Sequence, residues 1–99
     1  MVRTFLRIPK GLQFAILGVV QSLGGGAHGV AITEALNRNS DEKIGTPQVY
    51  LALGRLEQKG YLTSVHKKIG GQGRARRVYT LPKEGLVVLE AGRKFYGVR

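Results

Sequence analysis

Residues 45–81, "GTPQVYLALGRLEQKGYLTSVHKKIGGQGRARRVYTL", hold a helix start, a helix stop and two strand-forming runs around a glycine-rich basic stretch. At the start, Thr46 can cap and Pro47 suits the first helical position, where its missing N–H costs nothing. Gly60 supplies a left-handed stop, so a helix over about 46–59 is predicted. Within it Val49, Ala52, Leu53 and Leu56 form one apolar stripe. Gln48, Leu51, Arg55 and Gln58 lie opposite, with Tyr50 on the flank. The runs "YLTSV" and "RVYTL" are rich in β-branched and aromatic residues and read as two strands. The loop between them is longer than a tight turn, so the hairpin tip, Lys67 to Arg76, should protrude.

Working outward, "GLQFAILGVVQSL" (11–23) carries Leu12, Ile16, Val19, Val20 and Leu23 at helical spacing. Phe14, Ala15 and Leu17 add a second apolar face, and a helix apolar nearly all round is deeply buried or shared with a partner. "GGGAHG" breaks it. A second helix over about 29–38 is expected to turn Val30, Ile32, Ala35 and Leu36 inward and Thr33, Glu34 and Asn37 outward. The last segment, about 82–96, reads as a fourth helix with Leu86, Val87, Leu89 and Phe95 apolar.

The chain has 99 residues and a formal charge of +10, from sixteen Lys and Arg against six Asp and Glu. Such an excess repels itself in a small domain and serves an anionic partner, nucleic acid above all. With no cysteine, disulfides and thiolate metal sites are excluded and a reducing cytoplasm is the expected setting. Arg3, Arg7 and Lys10 before "LQFAILGVV", with "GGGA" after it, outline a secretory signal. That run is short and contains Gln13, and cleavage would leave about seventy unstapled residues, so the signal is rejected. No apolar run approaches a membrane span.

Two nucleotide-loop patterns fail. Gly24-x-Gly26-x-x-Gly29 follows a helical run rather than a strand, and no acid lies between Glu42 and Glu57 to hold a ribose. Gly71-x-Gly73 has Arg76 where a third glycine belongs, and no Walker lysine follows. His28 and His66 stand apart without a ligand cluster, and the carboxylates are scattered. No catalytic constellation, metal site or cofactor is expected, and the protein is not read as an enzyme.

The fold class is mainly α with a small β-hairpin (α+β), in the order α-α-α-β-β-α. Three helices followed by a basic hairpin is the arrangement of a winged helix-turn-helix, whose third helix enters the DNA major groove. Residues 1–10 form a basic arm, either lying on the DNA or a frayed, solvated end, and 11–99 the domain, with the wing at about 66–77. Gln48 and Arg55 are able to read base edges, and Thr46 at the helix start suits a phosphate. Tyr50 is either a flanking core residue or a hydroxyl reaching the backbone. Lys67, Lys68, Arg74, Arg76 and Arg77 place charge beside phosphates. A solvated hairpin tip is the plainer alternative. Two other classes fit the charge: a small RNA- or ribosome-associated winged helix, and a winged helix meeting an acidic protein.

From residue 12 to about 92 the chain resembles the PadR-like family of winged-helix transcriptional regulators. The similarity lies in "ILGVV" with "HGVAITEAL", in "IGTPQVYLALGRLEQKGYL" and in "RRVYTLPKEGLVVLEAG". Gly45, Thr46, Tyr50, Leu53, Arg55, Leu56, Glu57 and Gly60 match the family's helical block, and Arg77, Tyr79, Leu81 and Gly85 the later one. Departures are the extra glycine in "LGGGAHG", the long joint "NRNSDEKIG", Pro82 at a capping position and a short C-terminal end. The resemblance implies a homodimeric repressor on an inverted-repeat operator in double-stranded DNA, released in many members by a small-molecule effector. It implies dimer contacts from the first helix, here Leu12, Phe14, Ile16 and Leu17, and from the last, here Leu86, Leu89 and Phe95.

Overall fold

The computed structural model describes residues 11–24, 27–38, 41, 43–68 and 75–96, with Ala75 and Tyr96 described by backbone alone. The elements run α1 (Gly11–Leu23), β1 (Ala27–His28), α2 (Gly29–Asn37), α3 (Thr46–Gln58), β2 (Thr63–Lys68), β3 (Ala75–Thr80) and α4 (Lys83–Tyr96). This is the expected winged-helix order with one addition. Ala27 and His28, read as part of a breaking loop, form an edge strand on β3, giving an antiparallel sheet of order β1-β3-β2. A two-residue strand carries no periodicity, so only its pairing with Tyr79 and Val78 reveals it.

α1 packs against α2, α3, α4 and β3. That explains its nearly continuous apolar surface within one subunit: Ile16, Leu17 and Val20 are fully enclosed, and Leu12, Phe14, Val19 and Leu23 pack at the margin. α3 buries its stripe Val49, Ala52, Leu53 and Leu56 as its spacing demands. Leu62, Tyr79 and Leu89 close the core from the sheet and α4.

Two α2 assignments are reversed. Val30 is 45% exposed, whereas Thr33 is buried with its hydroxyl donating to the Gly29 carbonyl at 2.9 Å. A threonine can face inward because the preceding turn offers an acceptor. Asn37, expected outward, is half-buried and clamps the joint before α3. Its Oδ1 accepts from the Ile44 N–H at 2.7 Å and its Nδ2 donates to the Ile44 carbonyl at 3.0 Å. The long joint is thereby tied to α2 just where α3 begins.

The start of α3 also differs in detail. Gly45 occupies the N-cap, so Thr46 and Pro47 are the first two helical residues, and Gln48 Oε1 accepts from the Gly45 N–H at 3.3 Å. Gly60 adopts φ +82° at the stop, as expected.

Gly85 permits a close approach: a Cβ there would run into the Tyr61 carbonyl and the Leu81 side chain. Gly54, on the exposed side of α3, meets nothing among the described residues. Gly85→Ala should therefore lower stability by about 1–3 kcal/mol despite alanine's better helix propensity. Gly54→Ala should raise it by about 0.5–1 kcal/mol. Urea unfolding of both variants checks this, since a helix-propensity effect alone would stabilise both.

Candidate nucleic-acid interface

With its apolar stripe buried, α3 presents Gln48, Leu51, Arg55 and Gln58 along one exposed ridge. Leu51, at the centre of that ridge, is 58% exposed. The ridge borders the start of α1, and Leu12 and Gln13 join Gln48, Leu51, Ala52 and Arg55 around a shallow groove of about 280 Å³. Lys59, just past α3, donates to Gln13 Oε1 at 3.0 Å and holds the two helices in register. Leu12, which the resemblance assigns to a dimer contact, lies beside this ridge. Gln48 Oε1 accepts from the Gly45 N–H while the residue stays exposed, and its amide hydrogens are still able to donate.

On the other flank stand Thr46, exposed in the first turn, and Tyr50. The Tyr50 ring covers Gly29, where a Cβ would meet the phenol. The residue is half core and half surface, which reconciles the two alternatives left open for it: its ring rests on α2 and it remains 45% exposed.

The hairpin is longer than the sequence runs indicated. Pairing continues through Lys67↔Arg76 and Lys68↔Ala75, so Lys67, Lys68 and Arg76 belong to the ladder and not to a free tip. The cause is β-pairing itself, which carries basic residues along when the register is already set by Val65↔Val78 and Ser64↔Tyr79. Arg74 lies outside the described residues, as does the basic arm with Arg3, Arg7 and Lys10.

Strand alternation sorts the wing charges onto two faces. Val65, Lys67 and Arg76 share one face with His28, while His66, Lys68 and Arg77 share the other with Ser64 and Tyr79. Lys67 stands directly across from Arg76, and like charges in that position destabilise a hairpin. An anion between or beside them relieves the repulsion.

Three residues not expected to take part in binding, His28, Ser64 and Glu57, organise this surface. His28 caps α2, its Nδ1 accepting from the Ala31 N–H at 3.4 Å, and Arg76 Nη1 lies 3.4 Å from each ring nitrogen. Ser64 donates its hydroxyl to Glu57 Oε2 at 2.5 Å and accepts from Arg77 Nη1 at 2.9 Å. Glu57, near the end of α3, is thus linked to the Arg77 guanidinium only through the intervening hydroxyl. The matching signal, a serine at the second position of β2, means nothing until the register is known.

Among the described residues no group of three or more His, Asp or Glu is placed to hold a metal, and no helix is long and apolar enough to cross a membrane.

The sequence pattern of the Transcriptional regulator PadR-like family matches residues 16–91. The chain belongs to this family. Its members are transcriptional regulators, not enzymes. Among solved structures, a PadR family transcription regulator from Clostridium difficile superposes with TM-score 0.74 at 24% identity, over 85% of this chain and 84% of that one, a likeness of fold. PadR of Bacillus subtilis in complex with operator DNA superposes with TM-score 0.70 at 26% identity, over 82% of this chain and 44% of that one. A PadR family regulator from Eggerthella lenta gives TM-score 0.69 at 28% identity, over 84% of this chain and 71% of that one. Comparison with curated proteins gave no match.

Tyr79 is buried beneath the wing, and burial, with the Glu57 carboxylate second, holds its phenol above the ordinary 10.0. A raised folded value means stability that is full below pH 10 and is lost as pH rises through the folded value. Wild type should therefore lose stability above pH 10 more steeply than Tyr79→Phe, read as the melting-temperature difference between pH 8 and pH 11.

Proposed function

We propose that this PadR-like regulator is a cytoplasmic homodimeric repressor that binds double-stranded DNA at an inverted-repeat operator. Each α3 enters a major groove and each wing lies on the backbone or in the minor groove, with half-sites about one helical turn apart. The observation that carries this is the pairing of an exposed polar ridge with a wing whose ladder sets Lys67 against Arg76. That charge arrangement is costly in the free protein and favourable against phosphates. The operator-bound relative, PadR of Bacillus subtilis, supports the assignment.

Arg55 and Gln48, with Thr46, supply base discrimination, since the cap bond leaves Gln48 a second oxygen lone pair and both amide hydrogens. Thr46, Tyr50, Lys67, Lys68, Arg74, Arg76 and Arg77 hold the phosphates. The basic arm, residues 1–10, and a small-molecule effector of unspecified chemistry complete the proposal. For the dimer, Leu12, Phe14, Leu86 and Phe95 are the contact residues, Phe95 being 58% exposed on α4. Ile16, Leu17 and Leu89 are enclosed in the subunit's own core, so their part is to hold that face rigid from behind.

Selection from random duplex DNA at physiological salt tests the proposal, with an enriched inverted repeat as the expected result. Arg55→Ala should then cost about 1–3 kcal/mol at one operator position and relax the preference there. Lys67→Ala should weaken all sequences alike and reduce the salt slope by about one. Binding that ignores salt, or a preference for structured RNA over every duplex, would overturn it.

A further inference from the structure

Glu57 sits on α3, the helix proposed to meet DNA, and a carboxylate there repels phosphate. Its surroundings suggest a different use. The Ser64 hydroxyl has one hydrogen and gives it to Glu57 Oε2 at 2.5 Å, a charge-assisted bond. The hydroxyl is thereby committed as an acceptor on its other side, where Arg77 Nη1 donates at 2.9 Å. The three groups come from the end of α3, from β2 and from β3, and Ser64 and Arg77 lie diagonally on one face of the ladder. Among the described residues one guanidinium hydrogen is used, and the remaining donors of this exposed side chain are able to meet a ligand.

We propose that Glu57 and Ser64 are positioning residues that lock the Arg77 guanidinium to the C-terminal end of α3, so that helix and wing grip the DNA backbone at a fixed spacing. The inference rests on the DNA-binding function proposed above. Glu57 is half-buried and bonded to Ser64, so its part is to hold the arginine rather than to meet DNA. A flexible arginine loses rotamer freedom on every contact it makes, and holding it in place before DNA arrives removes that cost. Arg76 on the opposite face rests on His28 and lies outside this chain of bonds.

The sign of the Glu57 effect separates positioning from simple charge. If Glu57 were only a negative charge near DNA, Glu57→Ala would strengthen binding. As a positioning residue its loss should weaken binding. Ser64→Ala changes no charge and should weaken operator or random-duplex binding about three- to tenfold, with Ser64→Thr restoring it. In an Arg77→Ala background the Ser64→Ala change should have no further effect. Melting curves establish that each variant is folded.

A readout in the free protein separates this inference from the DNA assignment: nuclear spin relaxation at the arginine Nε groups. Arg77 should be more ordered in wild type than in Ser64→Ala, with Arg76 unchanged. Equal Arg77 mobility in the two proteins overturns the inference whatever the protein binds. Wild type that binds no duplex at all, with Arg77 nonetheless ordered by Ser64, overturns the DNA grip and leaves only the bond. Additive losses in the Ser64→Ala, Arg77→Ala pair would likewise overturn it.

Discussion

The burial of Val49, Ala52, Leu53 and Leu56 against α1 and α2 sets the orientation of α3, and every functional statement depends on that orientation. A leucine fully withdrawn from water contributes roughly 1.5–3 kcal/mol, so turning this helix by even one residue would be prohibitive. The polar ridge of Gln48, Arg55 and Gln58 faces outward because the opposite stripe has no alternative. Around it the fold adds restraints at both ends: the Asn37 clamp on Ile44 before the helix, and Lys59 on Gln13 after it.

The wing works against the opposite pressure. Its register is dictated near the core, by Ser64↔Tyr79 and Val65↔Val78, and farther out the ladder sets Lys67 against Arg76. The hairpin is stable at its base and electrostatically unfavourable toward its end, as suits a structure completed by an anion. Gly85 lets α4 approach the Tyr61 carbonyl, which seats the last helix beside the root of that hairpin.

Much of this was legible without coordinates. Helical spacing placed α1, α2 and α4 to within a residue or two, and the Thr-Pro start and Gly60 stop bounded α3, because these signals are local. The errors came where a side chain's surroundings are not local. Thr33 turned inward because Gly29 offered an acceptor, and Val30 outward in exchange. Gly45 displaced Thr46 from the cap, and β1 was invisible because two residues show no period. For the candidate site, Gln48, Arg55, Lys67 and Arg77 stand exposed as their residue types suggested.

The amino-acid order alone determined a small, cysteine-free, strongly basic winged helix with α3 and a charged hairpin as its outward parts. Composition, periodicity and turn chemistry carry that information within a few residues of each position. Long-range packing sets which face of the wing Lys67, Lys68, Arg76 and Arg77 occupy, that Ile16, Leu17 and Leu89 are enclosed within one subunit, and that Glu57 reaches Arg77 through Ser64. Those outcomes depend on strand register and helix packing between residues far apart in the chain, and no local pattern encodes the distance between them.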